Sequence, residues 1–126
     1  MVVRLTQWTL DVHDIDVMAP FWSAALGYQV VPDEDGRGAH LFPPADAGPG
    51  EPTVWLQPSA GPKQDKNRNH PDLIASDGDA DAEVERLVAL GAGHVDVGQT
   101  GQESFIVLAD PEGNEFCVLR RGPRRP

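Results

Sequence analysis

The sequence predicts an α+β protein made of two tandem βαβββ modules. The order strand, helix, three strands occurs twice, and a shift of 64 residues, about half of the 126-residue chain, lays one copy on the other. Under that shift "AALG" falls on "VALG", Val31 on Val95, the "AD" at 45 on the "AD" at 109, Glu51 on Glu115 and Val54 on Val118. A chain rich in Ala, Asp, Gly and Val repeats letters by chance, so the repeated order is the stronger of the two signs.

The first copy opens with "VVRLTQWTLDV", residues 2–12. Trp8, Leu10 and Val12 share one parity and Gln7, Thr9 and Asp11 the other, as in a half-buried strand. A helix follows at about residues 17–26. Asp14 and Asp16 are placed to cap it, Pro20 suits its first turn, and Met18, Phe21, Trp22, Ala25 and Leu26 form one apolar stripe ending at Gly27. Three short strands are predicted at "YQVVP", "AHLF" and "TVWLQP", separated by the turn-rich "DEDGRG" and "PPADAGPGEP".

The second copy repeats this plan. "HPDLIAS" reads as a strand, and "DADAEVERLVAL" as a helix over about residues 79–90 with Ala80, Val84, Leu87 and Val88 inward and Gly91 as its stop. "GHVDV", "SFIVLA" and "EFCVL" complete the module as strands. The "DPEGN" before the last strand reads as a structural turn in which Gly113 and Asn114 tolerate positive φ.

Composition narrows the function classes. The length suits one domain with a single core. Twenty acidic residues face ten cationic ones, a net charge of −10, and four of those cations lie in the terminal "RRGPRRP". An acidic body of this kind repels nucleic acid. Gly and Pro among the tail arginines predict a solvated, disordered segment at 121–126. A single cysteine allows no intramolecular disulfide, the start carries no signal-like segment, and no run of apolar residues is long enough to cross a membrane. The expected location is cytoplasmic, with no nucleic-acid or membrane partner.

Several stretches resemble a known family. "DVHDIDVMAPFWSAALGYQVV", "KNRNHPDL", "DAEVERLVALGA" and above all "VLADPEGNEFCVL" are similar to the glyoxalase-like branch of the vicinal oxygen chelate superfamily, the glyoxalase/bleomycin resistance/dioxygenase group. The resemblance spans nearly all of residues 3–119. It implies one glyoxalase-like domain over 1–120, with modules at about 2–60 and 68–120 forming a cup-shaped half-barrel, helices outside and the ligand inside.

In such a cup the more apolar parity of each strand faces the helices and the other parity lines the cavity. Cavity-lining positions are then Gln7, Thr9 and Asp11; Thr53, Trp55 and Gln57; His70, Asp72 and Ile74; and Glu115, Cys117 and Leu119. The lone cysteine occupies this parity of the last strand while Phe116 and Val118 pack the core. Metal-binding relatives draw ligands from the first, fourth, fifth and eighth strands, which correspond here to Gln7, Gln57 (with Trp55 nearby), His70 and Cys117. Only His70 and Cys117 are strong ligands. A divalent metal on these two is therefore open, but the set lacks the carboxylates that hold a hard ion, and the expectation is that none is tightly bound. His13 and His40 read as solvated histidines in turn or strand-edge positions, and His94 carries no signal.

Two function classes follow from the resemblance. In the enzyme class, Glu115 and His70 are the catalytic candidates of a lyase or isomerase acting on a small oxygenated substrate. In the binding class, the cup sequesters a cationic, aromatic drug-like ligand without chemistry, as bleomycin-resistance-type proteins do, with Trp55 as an aromatic wall and the acidic body favouring the cation. In both, Gln7, Trp55, Gln57, His70, Asp72 and Cys117 contact a small molecule, and a homodimer is expected because short strand edges need cover.

Overall fold

The computed structural model describes residues 1–124 and 126. The chain divides into two compact units, Met1–Pro62 and Lys63–Pro126. Each is a βαβββ module with one four-stranded mixed sheet, so the predicted α+β class and the tandem repeat both hold. Arg125, in the tail expected to be disordered, lies outside the described residues.

The first module runs β1 (Gln7–Asp11), α1 (Ile15–Leu26), β2 (Gln29–Pro32), β3 (Ala39–Phe42) and β4 (Thr53–Gln57), with sheet order β1-β4-β3-β2. β1 lies parallel to β4, and the other pairs are antiparallel. β1 is shorter than expected, for a reason found on its partner: Pro52 has no N–H, so the ladder ends where Thr53 N–H donates to the Thr6 carbonyl at 3.2 Å. Residues 2–6 are consequently exposed.

The helix α1 begins two residues before the predicted start. Asp14 alone is the N-cap, its side chain accepting from Asp16 N–H, and Pro20 lies in the helix interior with its ring exposed, beyond the first turn expected for it. Gly27 takes the left-handed conformation at φ 71°, which lets its own N–H and that of Tyr28 reach the Ser23 carbonyl at 2.8 and 3.1 Å. Met18, Phe21 and Trp22 are buried against the sheet, and Trp8 meets Trp22 edge-on at 5.4 Å.

The second module runs β5 (Asp72–Ile74), α2 (Ala80–Leu90), β6 (Gly93–His94), β7 (Phe105–Ala109) and β8 (Glu115–Leu119), in order β5-β8-β7-β6 with β5 parallel to β8. Asp79 caps α2 by accepting from Ala82 N–H. Ala80, Val84 and Leu87 are buried as predicted, but Val88 is exposed, because the stripe that meets the sheet is narrower than four positions. β6 stops after two residues, where Gly98 N–H turns back onto the Asp96 carboxylate. In the turn before β8, Asp110 accepts from the N–H groups of Glu112 and Asn114 at 3.0 Å each. Only Gly113 adopts positive φ there; Asn114 does not. Among the described residues no helix is long and apolar enough to cross a membrane.

Candidate functional site

The second module gathers three chemically capable side chains. Asp72 pairs in register with Cys117 across β5 and β8, and His70 precedes Pro71, whose carbonyl accepts the Cys117 N–H at 3.0 Å. His70 and Asp72 are two residues apart in an extended segment and so share a face. The His70 Nδ1 lies 3.5 Å from Asp72 Oδ1 and 4.0 Å from Cys117 Sγ, and one donor atom from each of the three residues lies within 4.8 Å of the others. His70 and Asp72 are exposed, and Cys117 is buried beneath them. Burial pushes the Cys117 thiol above its ordinary pKa, and the Asp72 carboxylate pushes it further, against a smaller opposing pull from Lys66. The cysteine is thus held as a thiol, not as a ready nucleophile.

Glu115 occupies a different environment. It is buried, Lys63 Nζ donates to its Oε1 at 3.1 Å, and Asn67 N–H donates to its Oε2 at 3.2 Å, while Asn67 Oδ1 accepts the Glu115 N–H at 3.0 Å. Burial alone would raise its pKa; the hydrogen bonds from Asn67 and Lys63, its own backbone N–H and the lysine charge outweigh that and hold it below the usual carboxylate value. Both oxygens are committed, so the carboxylate clamps the segment 63–67 to the start of β8.

The first-module candidates stand on strands β1 and β4. Gln7 Oε1 accepts from Thr53 Oγ at 3.1 Å, and Gln57, half-buried, closes β4, its carbonyl taking the Val12 N–H at 2.8 Å. Trp55 is engaged in a group that the sequence reading did not recognise. Its Nε1–H donates to Asp33 Oδ2 at 2.9 Å, and Asp33 Oδ1 is 2.7 Å from Nδ1 of His40. His40 is therefore not the solvated histidine expected; it sits in β3 opposite Trp55 and stacks on it at 5.5 Å and 9°. The available signal was the parity of "AHLF", which puts buried Ala39 and Leu41 on one face and His40 on the other. The role of Asp72 beside His70 was likewise legible only as a lining position, since its meeting with Cys117 depends on strand register.

Two mixed sheets, each with its own helix and parallel outer pair, define a tandem βαβββ protein of the vicinal oxygen chelate type. Residues 7–119 match the glyoxalase-like domain family, and the chain belongs to it. No curated protein sequence matches the chain. Among solved structures, the fosfomycin resistance protein FosX from Mesorhizobium loti is similar at 19% identity and TM-score 0.70, over 97% of this chain and 94% of that one. A FosX point variant from Listeria monocytogenes, complexed with Mn(II) and 1S,2S-dihydroxypropylphosphonic acid, shares 16% identity at TM-score 0.73 over 97% and 93%. A glyoxalase/bleomycin resistance protein/dioxygenase family enzyme from Burkholderia phytofirmans PsJN shares 16% at TM-score 0.68 over 92% and 97%.

The donor set of the second module does not suit a Mn(II)-like ion, which takes mainly oxygen ligands; one carboxylate stands here beside an imidazole and a thiol. By donor type it suits a softer ion better, since imidazole and thiolate are ligands of zinc-like ions.

Proposed function

We propose that the protein binds a small oxygenated molecule through the second-module cluster His70, Asp72 and Cys117. The observation that supports this reading is the cluster itself: three different donor groups within 4.8 Å of one another, two of them exposed. The imidazole accepts from or donates to one ligand oxygen, the carboxylate accepts from a neighbouring hydroxyl, and the neutral thiol adds a soft contact below. In the first module, Gln7, Trp55 and Gln57 are proposed as small-molecule contacts. In the enzyme form of the reading, His70 moves a proton on the substrate in a lyase or isomerase reaction, and Glu115 positions the segment 63–67. A softer divalent ion would be held by His70, Asp72 and Cys117 and would supply Lewis acidity. Tight retention is not expected, because the raised thiol must first lose its proton. The location proposed is cytoplasmic, and the assembly a homodimer that light scattering at tens of micromolar would detect.

The test is titration of the purified protein with small 1,2-diols and α-hydroxy ketones, followed by calorimetry. Saturable binding that His70→Ala weakens, with a stability cost below that of Leu87→Ala, supports the reading. No saturable binding, or a His70→Ala chain that fails to fold, overturns it. Preferential binding of a cationic aromatic compound would instead favour sequestration, the reading supported by the net charge of −10.

A further inference from the structure

The first module contains a polar group of which the reading above uses only Trp55. Asp33 leaves the end of β2 in a tight hairpin closed by Asp33 N–H to the Gly38 carbonyl at 2.9 Å. From there its carboxylate reaches over β3 to β4, taking one hydrogen bond from His40 and one from Trp55. The approach requires glycine at 38: a Cβ there would lie 2.6 Å from Asp33 Oδ2 and 2.8 Å from the Leu56 carbonyl. An ionised carboxylate can only accept, so the His40 hydrogen facing it is on Nδ1, and in the neutral ring the lone pair belongs to Nε2. The ring stacks on Trp55 across the strands and, along its own strand, lies near Phe42, whose centroid is 6.1 Å away at 25°. The His40 side chain is 33% exposed, on the sheet face opposite buried Leu41, and no described residue hydrogen-bonds its Nε2.

We propose that His40 Nε2 is a proton-accepting contact for a weakly acidic hydroxyl on a flat, conjugated small molecule. A carboxylate that orients the far nitrogen and supports the charge on the near one is the arrangement that makes an imidazole a directed base. When the ligand binds, its O–H bond breaks, the electron pair stays on the oxygen, and the proton joins Nε2; Asp33 offsets the imidazolium charge. On release the proton returns, so no co-reactant is needed. The acidic body disfavours the approach of a preformed anion, so the ligand arrives neutral with its proton in place. Phe42, 41% exposed beside the imidazole, supplies apolar area for a conjugated ring. This inference does not rest on the second-module reading.

The experiment uses 4-nitrophenol as the probe, at a pH where the free phenol is mostly neutral. Titrating in the whole protein should produce a saturable phenolate absorbance. His40→Gln should weaken that signal by about tenfold or more, the equivalent of roughly 1.4 kcal/mol, Asp33→Asn should weaken it less, and His94→Gln should leave it unchanged. No saturable phenolate signal in the native protein, or a full signal in His40→Gln, overturns the proposal. If His40→Gln does not fold, long-range proton–nitrogen spectra of the native protein decide. They should show the Nε2 resonance of His40 moved by 4-nitrophenol toward the protonated position, and an unmoved Nε2 overturns the proposal equally.

Discussion

The two modules share a topology but treat polar side chains on their sheets in opposite ways. In the first, Asp33, His40 and Trp55 are closed into short hydrogen bonds of 2.7 and 2.9 Å. In the second, His70 Nδ1 lies 3.5 Å from Asp72 Oδ1 and 4.0 Å from Cys117 Sγ, and the thiol also hydrogen-bonds Asp72, so the histidine contacts are longer than those of the first module. The first arrangement fixes a tautomer and a ring plane. The second leaves its imidazole and carboxylate exposed. The same fold therefore supports a rigid polar group in which His40 Nε2 alone is left for a guest, and a more exposed one, and the difference depends on whether a carboxylate arrives from a hairpin or from the strand itself.

The helices differ too, and here the largest effect is expected. α1 packs through Phe21 and Trp22, each 3% exposed or less, whereas α2 packs through Ala80, Val84 and Leu87. Trp22→Ala should cost about 3–5 kcal/mol in denaturant unfolding. A cost below that of Leu87→Ala would break the comparison.

The next effects probe the polar groups. Gly38→Ala forces a Cβ against the Asp33 carboxylate and the Leu56 backbone, and about 1–3 kcal/mol is expected for such overpacking. Lys63→Ala leaves Glu115 buried without its cation, and about 1–3 kcal/mol is expected there as well. If Gly38→Ala were neutral, the first-module group would be looser than its distances imply.

The acid limb of stability sharpens the contrast further. For Asp33, burial raises the pKa, but hydrogen bonds from Trp55 and His40 and the histidine charge bring it below the ordinary carboxylate value. A depressed folded pKa contributes stability that is complete above the unfolded value of about 3.9 and is lost as pH falls through the folded one. Asp33→Asn should therefore lower stability at neutral pH and flatten its loss below about pH 4. Unfolding curves collected across that range measure this, and an unchanged acid limb would count against it.

The smallest effect lies in the open cluster. Because the Asp72 carboxylate helps to raise the Cys117 thiol, Asp72→Asn should lower that pKa and speed alkylation by iodoacetamide at neutral pH. A rate that is unchanged or slower would show that burial alone governs the thiol.

Much of the fold was legible because it is written in local periodicity. β3 and β8 have the predicted bounds, both helices lie within two residues of theirs, and the parity of "EFCVL" already separated Cys117 from Phe116 and Val118. Proximity of His70 to Cys117 followed from strand order together with the family resemblance. What the sequence alone determined is thus the alternation of side chains along the strands. Only the tertiary structure decided which faces meet at bonding distance. Asp33 reaches Trp55 across 22 residues and Glu115 reaches Lys63 across 52, contacts that depend on register and on the path of a hairpin or linker. A one-residue slip would leave local propensities almost unchanged while sending the strand-borne Trp55 and Glu115 to the other face of their sheets, away from Asp33 and Lys63.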